Sequence, residues 1–300
     1  MKVVRAGILG FCMGVRRAVD MACQAVEDPA AGRTVYTLGP LIHNPAVLDT
    51  LEKHGIRILE NHGKLKESEP CTVIIRAHGV PPAVERELVK SGVQILDATC
   101  PHVKASQLKA SELSGEGFHV FLAGEQEHGE IIGIRGYIGK SEESAGGSYS
   151  VVADPSEAKS AAAKLARVNP AAKTALIGQT TMSQEEYNAM GAVIKEYFPS
   201  LKILNTICEA TGERQNALRR LSSQVDAFVI AGGRDSANTR RLLSIAEASG
   251  KKAWLVETPD DLPPDIASFK TVGLAAGAST PDSIIDEIEE ALLRESNTLY

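Results

Sequence analysis

Short apolar runs alternate along the chain with stretches whose apolar residues recur at helical spacing, the pattern of βαβ units and parallel sheets. One run is said twice. Val93-Gln94-Ile95-Leu96-Asp97-Ala98-Thr99-Cys100 returns as Leu201-Lys202-Ile203-Leu204-Asn205-Thr206-Ile207-Cys208: an apolar strand, a turn residue, then a cysteine opening a helix. The N-terminus carries a looser copy from Val3 to Cys12, again followed by a helical pattern. Further strands are predicted at 35–38, 73–76, 120–123, 175–177, 228–231 and 272–275. Each ends in a loop bearing hydroxyl, imidazole or amide groups and then starts a helix. Ligands of α/β sheets bind at such strand ends, and helix N-termini attract anions there.

Two of these strands precede Cys100 and two precede Cys208. After Thr280 the final helix, Asp282 to Arg294, has no strand and cysteine behind it, and the N-terminal run 3–9 supplies the missing piece. The pattern therefore predicts an α/β protein with mainly parallel sheets and three pseudo-equivalent domains: 13–100, 101–206, and 207–300 completed by 1–12. The Gly/Ser-rich stretch 144–150 and polar 60–70 read as surface loops, and 295–300 as a fraying end.

Bulk properties remove whole classes of function. A net charge of −6 leaves no global footprint for nucleic acid. Nothing approaches about 18 uninterrupted apolar residues, so no membrane span is expected. With no secretory signal and five cysteines, a reducing cytoplasm is expected, with thiols available for chemistry. Cys23, on the apolar stripe of Val15, Ala18, Val19, Ala22 and Val26, reads as a packing residue, as does Cys71 beside its strand. Cys12, Cys100 and Cys208 share one position in a repeated unit, where a helix N-terminus favours the metal-binding thiolate. Three thiolates suit zinc with a histidine or water as fourth ligand. They equally suit a cubane iron–sulfur cluster held through three irons, its fourth iron open. Spacing permits both.

Of seven histidines, His54, His62, His102 and His119 read as surface or helix-end residues. His43, His78 and His128 instead occupy strand-end loops. With Thr180, Thr181, Ser236, Asn238 and Ser279 they form a set of neutral donors suited to a diphosphate without lysine or arginine. Glu130 is the carboxylate among them and a natural proton donor.

These residues also carry a resemblance. Gly10-Phe11-Cys12-Met13-Gly14-Val15, His43-Asn44-Pro45, Arg76-Ala77-His78-Gly79-Val80 and Asp97-Ala98-Thr99-Cys100-Pro101 resemble the 4-hydroxy-3-methylbut-2-enyl diphosphate reductase family, which closes the methylerythritol phosphate route to isoprenoids. So do Gln179-Thr180-Thr181-Met182-Ser183, Asn205 to Thr211, Ser236 to Asn238 and Ala276-Gly277-Ala278-Ser279. The resemblance runs in one order from residue 10 to about 285. It implies a trefoil of three α/β domains around one oxygen-sensitive 4Fe–4S cluster per chain, bound by Cys12, Cys100 and Cys208 with the fourth iron open. It also implies a diphosphate pocket of His43, His78, Ser236, Asn238 and Ser279, with His128, Thr180 and Glu130 around the reacting hydroxyl. The implied reaction is a two-electron reductive dehydroxylation that gives isopentenyl and dimethylallyl diphosphate, with Glu130, Thr180 and His128 moving the proton. No Gly-x-Gly-x-x-Gly fingerprint is present, so electrons are expected from an external ferredoxin, flavodoxin or similar carrier. The rivals are an iron–sulfur hydro-lyase, which consumes no electrons, and a three-domain scaffold with a structural zinc. The chain departs from the family at Gly129, where proline is usual, at Ala237 in place of a serine, and in the acidic lead-in Gly124-Glu125-Gln126-Glu127.

Overall fold

The computed structural model describes residues 1–27, 32–60, 70–138 and 147–297. In chain order the elements are β1 (Lys2–Arg5), α1 (Met13–Glu27), β2 (Thr34–Leu38), α2 (Pro45–Lys53), β3 (Arg57–Leu59), β4 (Cys71–Ile75), α3 (Pro82–Lys90), β5 (Gln94–Asp97) and α4 (Pro101–Gly115). There follow β6 (His119–Ala123), α5 (Gly129–Gly136), β7 (Ser148–Val152), α6 (Pro155–Val168), β8 (Thr174–Gly178), α7 (Gln184–Lys195) and β9 (Lys202–Ile203). The chain ends with α8 (Glu209–Leu221), β10 (Ala227–Ala231), α9 (Ala237–Ala248), β11 (Lys252–Val256), β12 (Thr271–Ala276) and α10 (Asp282–Asn297). His62, most of the predicted loop 60–70, residues 144–146 and the last three residues lie outside the described residues.

The strands form three parallel sheets of four, in the orders β11-β10-β12-β1, β3-β2-β4-β5 and β7-β6-β8-β9. The order is the same each time. A strand is laid down, the next pairs on its outer edge, the third returns to its inner side, and a fourth closes the far edge. In the first sheet the fourth place is filled by β1, whose Lys2 to Arg5 register against Thr271 to Leu274. The central strands β4, β6, β8 and β10 are buried along their whole length, as parallel strands covered on both faces must be.

The chain divides into two compact units. One comprises Met1–Val19, Ile42–His54 and Glu209–Tyr300, and contains the first sheet; the other comprises Asp20–Leu41 and Gly55–Cys208, and contains the other two. In the first unit, Phe228, Leu218, Ile230 and Leu242 fill one side of the sheet, and Val229, Leu274, Ile288 and Leu292 fill the other. In the second, Phe121, Leu176, Tyr187 and Met190 form one core and Leu113, Val120, Ile131 and Ile134 another. Burying one such side chain stabilises by about 1.5–3 kcal/mol, so the sheets are rigid platforms for the loops at their ends.

Three strands were not predicted: β3, β7 and β11, each the outer edge of its sheet. Each begins exposed and is fully buried only at its last residue, so its apolar pattern is too broken to stand out from loop sequence. Part of the Gly/Ser-rich stretch read as a loop is β7. The N-terminal strand is also shorter than the run 3–9, because the chain leaves the sheet at Ala6 after a last bond to Leu274.

Candidate active site

Each of the three cysteines stands immediately before a helix: Cys12 before α1, Cys100 before α4, Cys208 before α8. Each is fixed in the same way. The Cys12 amide donates to Ala278 O at 3.1 Å, that of Cys100 to Ala77 O at 2.9 Å, and that of Cys208 to Thr180 O at 2.9 Å. The three acceptors all lie just past the end of the third-placed strand of their sheet, β12, β4 and β8. The pairing that built each sheet is thus carried on by one more bond to the cysteine. At Cys12 the helix also turns an amide onto sulfur, with Val15 N 3.5 Å from Sγ. None of the five cysteines is in a disulfide, and these three are partly exposed. Partly exposed thiols at helix N-termini are the soft, anion-favouring donors an iron–sulfur cluster requires. The residues present fit that group.

The other two cysteines have different surroundings. Cys71 is buried in the core of its sheet with Val73, Ile75 and Leu88. Cys23 is only partly buried, beside the fully buried Ala18 and Ala22. Burial, with Glu27 and Asp20 nearby, pushes its thiol pKa up and disfavours thiolate.

Within the second unit, the ring centroids of His78 and His128 lie 5.3 Å apart, nearly perpendicular. His128 caps α5, its Nδ1 accepting from Glu130 N at 3.2 Å. Glu130 turns the other way and is 1% exposed. Its Oε1 accepts from Thr180 N at 2.7 Å and its Oε2 from Thr180 Oγ1 at 2.9 Å. Desolvation pushes the carboxyl up to about 7, against the lowering effect of these two donors. Thr180 also offers its carbonyl to Cys208. A single residue therefore joins the buried acid to the backbone of a cysteine.

Within the first unit, His43 lies in the turn before α2, and its carbonyl accepts from Ser279 Oγ at 3.3 Å. The loop after β10 crosses this turn so closely that a Cβ on Gly233 would lie 2.4 Å from His43 O. Ser236 caps α9 through Thr239 N at 3.3 Å. Asn238, one residue into that helix, is 4% exposed, and both its amide atoms are buried with no hydrogen-bond partner among the described residues. A buried amide in that state costs free energy unless a ligand meets it. Thr181 donates nothing to this set; it accepts from Gln179 Nε2 at 2.9 Å.

A sequence model of the LytB protein family matches residues 3–293. The chain belongs to the LytB family. It is 43% identical to a Treponema denticola protein over 98% of this chain and 99% of that one, and 38% identical to one from Aquifex aeolicus over 97% and 95%. Both are named 4-hydroxy-3-methylbut-2-enyl diphosphate reductase. A solved structure described as that reductase, the terminal enzyme of the non-mevalonate pathway, is 36% identical, with a TM-score of 0.68 over 98% of this chain and 100% of that one. A Plasmodium falciparum reductase structure shares the fold, with a TM-score of 0.86 at 23% identity over 96% and 87%.

Two residues of this LytB chain escaped the sequence reading or were misread by it. His119 is buried, not a surface histidine: it opens β6, its ring nitrogens meet Ser148 Oγ at 2.6 Å and Ser150 Oγ at 3.0 Å, and desolvation holds it down at about 4. Its partners lie on the unpredicted strand β7, which hid the reason for its burial. Arg76 follows β4 directly and sits beside the site's histidines, so the strand-end donors are not all neutral. Its place next to Ala77-His78-Gly79 was the available signal. No helix among the described residues is long and apolar enough to cross a membrane.

Proposed function

We propose that this chain reduces 4-hydroxy-3-methylbut-2-enyl diphosphate to isopentenyl and dimethylallyl diphosphate, consuming two electrons and two protons and releasing water. The observation that carries the reading is the joined pair Glu130–Thr180. It keeps a carboxyl with a pKa near 7 in a dry place and ties it to the backbone of Cys208.

In this reading Cys12, Cys100 and Cys208 hold one 4Fe–4S cluster, and 13–100, 101–206 and 207–300 with 1–12 are the three domains that present them. When bound, the cluster supplies electrons singly and an iron free of protein ligands as a Lewis acid toward the allylic oxygen. The chain's own residues do the rest. His43, His78, Ser236, Asn238 and Ser279 bind the diphosphate, and the buried amide of Asn238 is satisfied by it. Glu130 holds a proton on its carboxyl, passes it through Thr180 Oγ1 toward the departing hydroxyl, and is reset from His128. The second proton ends on carbon, at either terminus of the allylic unit. The electron donor is an external carrier of the ferredoxin or flavodoxin kind.

The test is anaerobic turnover of the allylic alcohol diphosphate with a reduced viologen. Two viologens oxidised per substrate consumed is the expected stoichiometry. Substrate loss without viologen oxidation would identify a hydro-lyase instead, and protein that purifies with zinc and no sulfide would leave a scaffold.

A further inference from the structure

Arg76 is a charged side chain without a pairing group among the described residues. It is partly buried, its Nε is sealed from solvent without an acceptor, and no carboxylate or carbonyl meets its guanidinium among the described residues. Acids are not scarce, since the chain has 38 Asp and Glu against 32 Lys and Arg. The guanidinium occupies a slot made by two glycines. A Cβ on Gly39 would lie 3.1 Å from Nη1, and one on Gly129 would lie 2.7 Å from Nη2 and 3.0 Å from Cζ. The same Gly129 Cβ would lie 3.4 Å from Cβ of His78, so the cation stands beside the His78–His128 pair. Gly129 is also the first residue of α5, the positive end of that helix.

A cation placed at a helix N-terminus and stripped of water is unfavourable twice over. Burial lowers its pKa, but a guanidinium stays charged at neutral pH. The arrangement makes sense once an anion arrives, because the planar fork, two imidazoles and helix amides all donate to tetrahedral oxyanions.

We propose that Arg76 is a cationic ligand for a phosphate-type oxyanion at the junction of β4 and α5, and that Gly129 is glycine so that the guanidinium can reach it. The identity of that oxyanion as the substrate's diphosphate rests on the function proposed above.

The test is calorimetric titration of the anaerobically purified, cluster-loaded protein with inorganic pyrophosphate at two ionic strengths. Arg76→Gln should bind at least about tenfold more weakly, with a flatter salt dependence. Arg76→Lys should fall between it and the wild type, and Gly129→Ala should resemble Arg76→Gln because the methyl evicts the guanidinium. Arg86→Gln, an exposed arginine on α3, should bind as the wild type does. Affinity for pyrophosphate within about twofold of wild type in Arg76→Gln or in Gly129→Ala overturns the proposal. So does a lowered unfolding temperature of Arg76→Gln without loss of affinity, which would make the residue a packing element. If Arg76→Gln does not fold, Gly129→Ala and Arg76→Lys carry the decision. Should electron uptake in the viologen assay fail while pyrophosphate affinity still depends on Arg76, the reductase reading falls and the oxyanion site stands.

Discussion

At the scale of single residues, the carboxyl of Glu130 is the strongly perturbed group to which we assign the chemistry. It accepts two bonds from Thr180, yet burial outweighs them and leaves its pKa near 7. Glu130→Gln preserves size, and its amide can meet both Thr180 groups, but it cannot give up a proton. Turnover should fall by about 10²–10⁴-fold while cluster content and substrate binding persist; wild-type turnover would remove Glu130 from the chemistry. With the acid form as the working form, as proposed, the wild-type rate should decline as pH rises through about 7. The same shift has a sign for stability. Between the ordinary 4.5 and about 7 the native state holds a proton the unfolded chain has lost, so this group's stabilisation, full below that window, disappears as pH rises across it. Urea unfolding at several pH values should show that fall in the wild type and a flatter curve in Glu130→Gln. The acid and the loop histidines were legible because strand-end loops are short and their polar residues few. The meaning of Arg76 was not, because it depends on two glycines remote in sequence.

At the scale of elements, the three cysteine junctions are alike in backbone bonding but unequal in support. β5 has four residues paired to β4, whereas β9 has only Lys202 and Ile203. The chain from β9 to Cys208 is held by side chains instead. Tyr187 OH donates to Leu204 O at 2.6 Å, and Thr206 Oγ1 bonds Gly178 at both N and O, at 2.8 and 2.9 Å. Thr206→Val keeps the shape and removes both bonds at the end of β8. It should cost about 1–3 kcal/mol, read as a lower denaturant midpoint, and should speed iron loss to a chelator. An unchanged rate of loss would mean that Cys208 needs no such support. The strand–cysteine–helix repeat was visible in sequence because buried central strands are continuously apolar. Edge strands such as β11, exposed at its first residue and fully buried only at its last, carry no such mark.

At the scale of the whole molecule, one topology is used three times with a cysteine at the same point each time. Serine at Cys12, Cys100 or Cys208 should abolish the iron and sulfide content of the purified protein. Cys71→Ser should retain both and lose about 1–3 kcal/mol, because a hydroxyl replaces sulfur in a dry core. Iron retained in any of the first three variants would redistribute the ligands. The fold class followed from alternation of strand and helix patterns, and the nature of the metal followed from family likeness, since zinc and iron–sulfur centres both accept thiolates.

The pairing of β1 with β12 also orders events in time. Lys2 leaves the ribosome well before its partner Thr271 is made. At about 5–20 residues per second, that is a delay of roughly ten seconds to a minute. Both four-stranded sheets of the second unit can be complete in the nascent chain while β1 still has no neighbour. Cys12, whose amide waits for Ala278, is therefore an unhoused thiol until that residue is made. With Cys12 as a ligand, as proposed above, cofactor loading becomes a finishing step, and the youngest chains are those most exposed to oxidants.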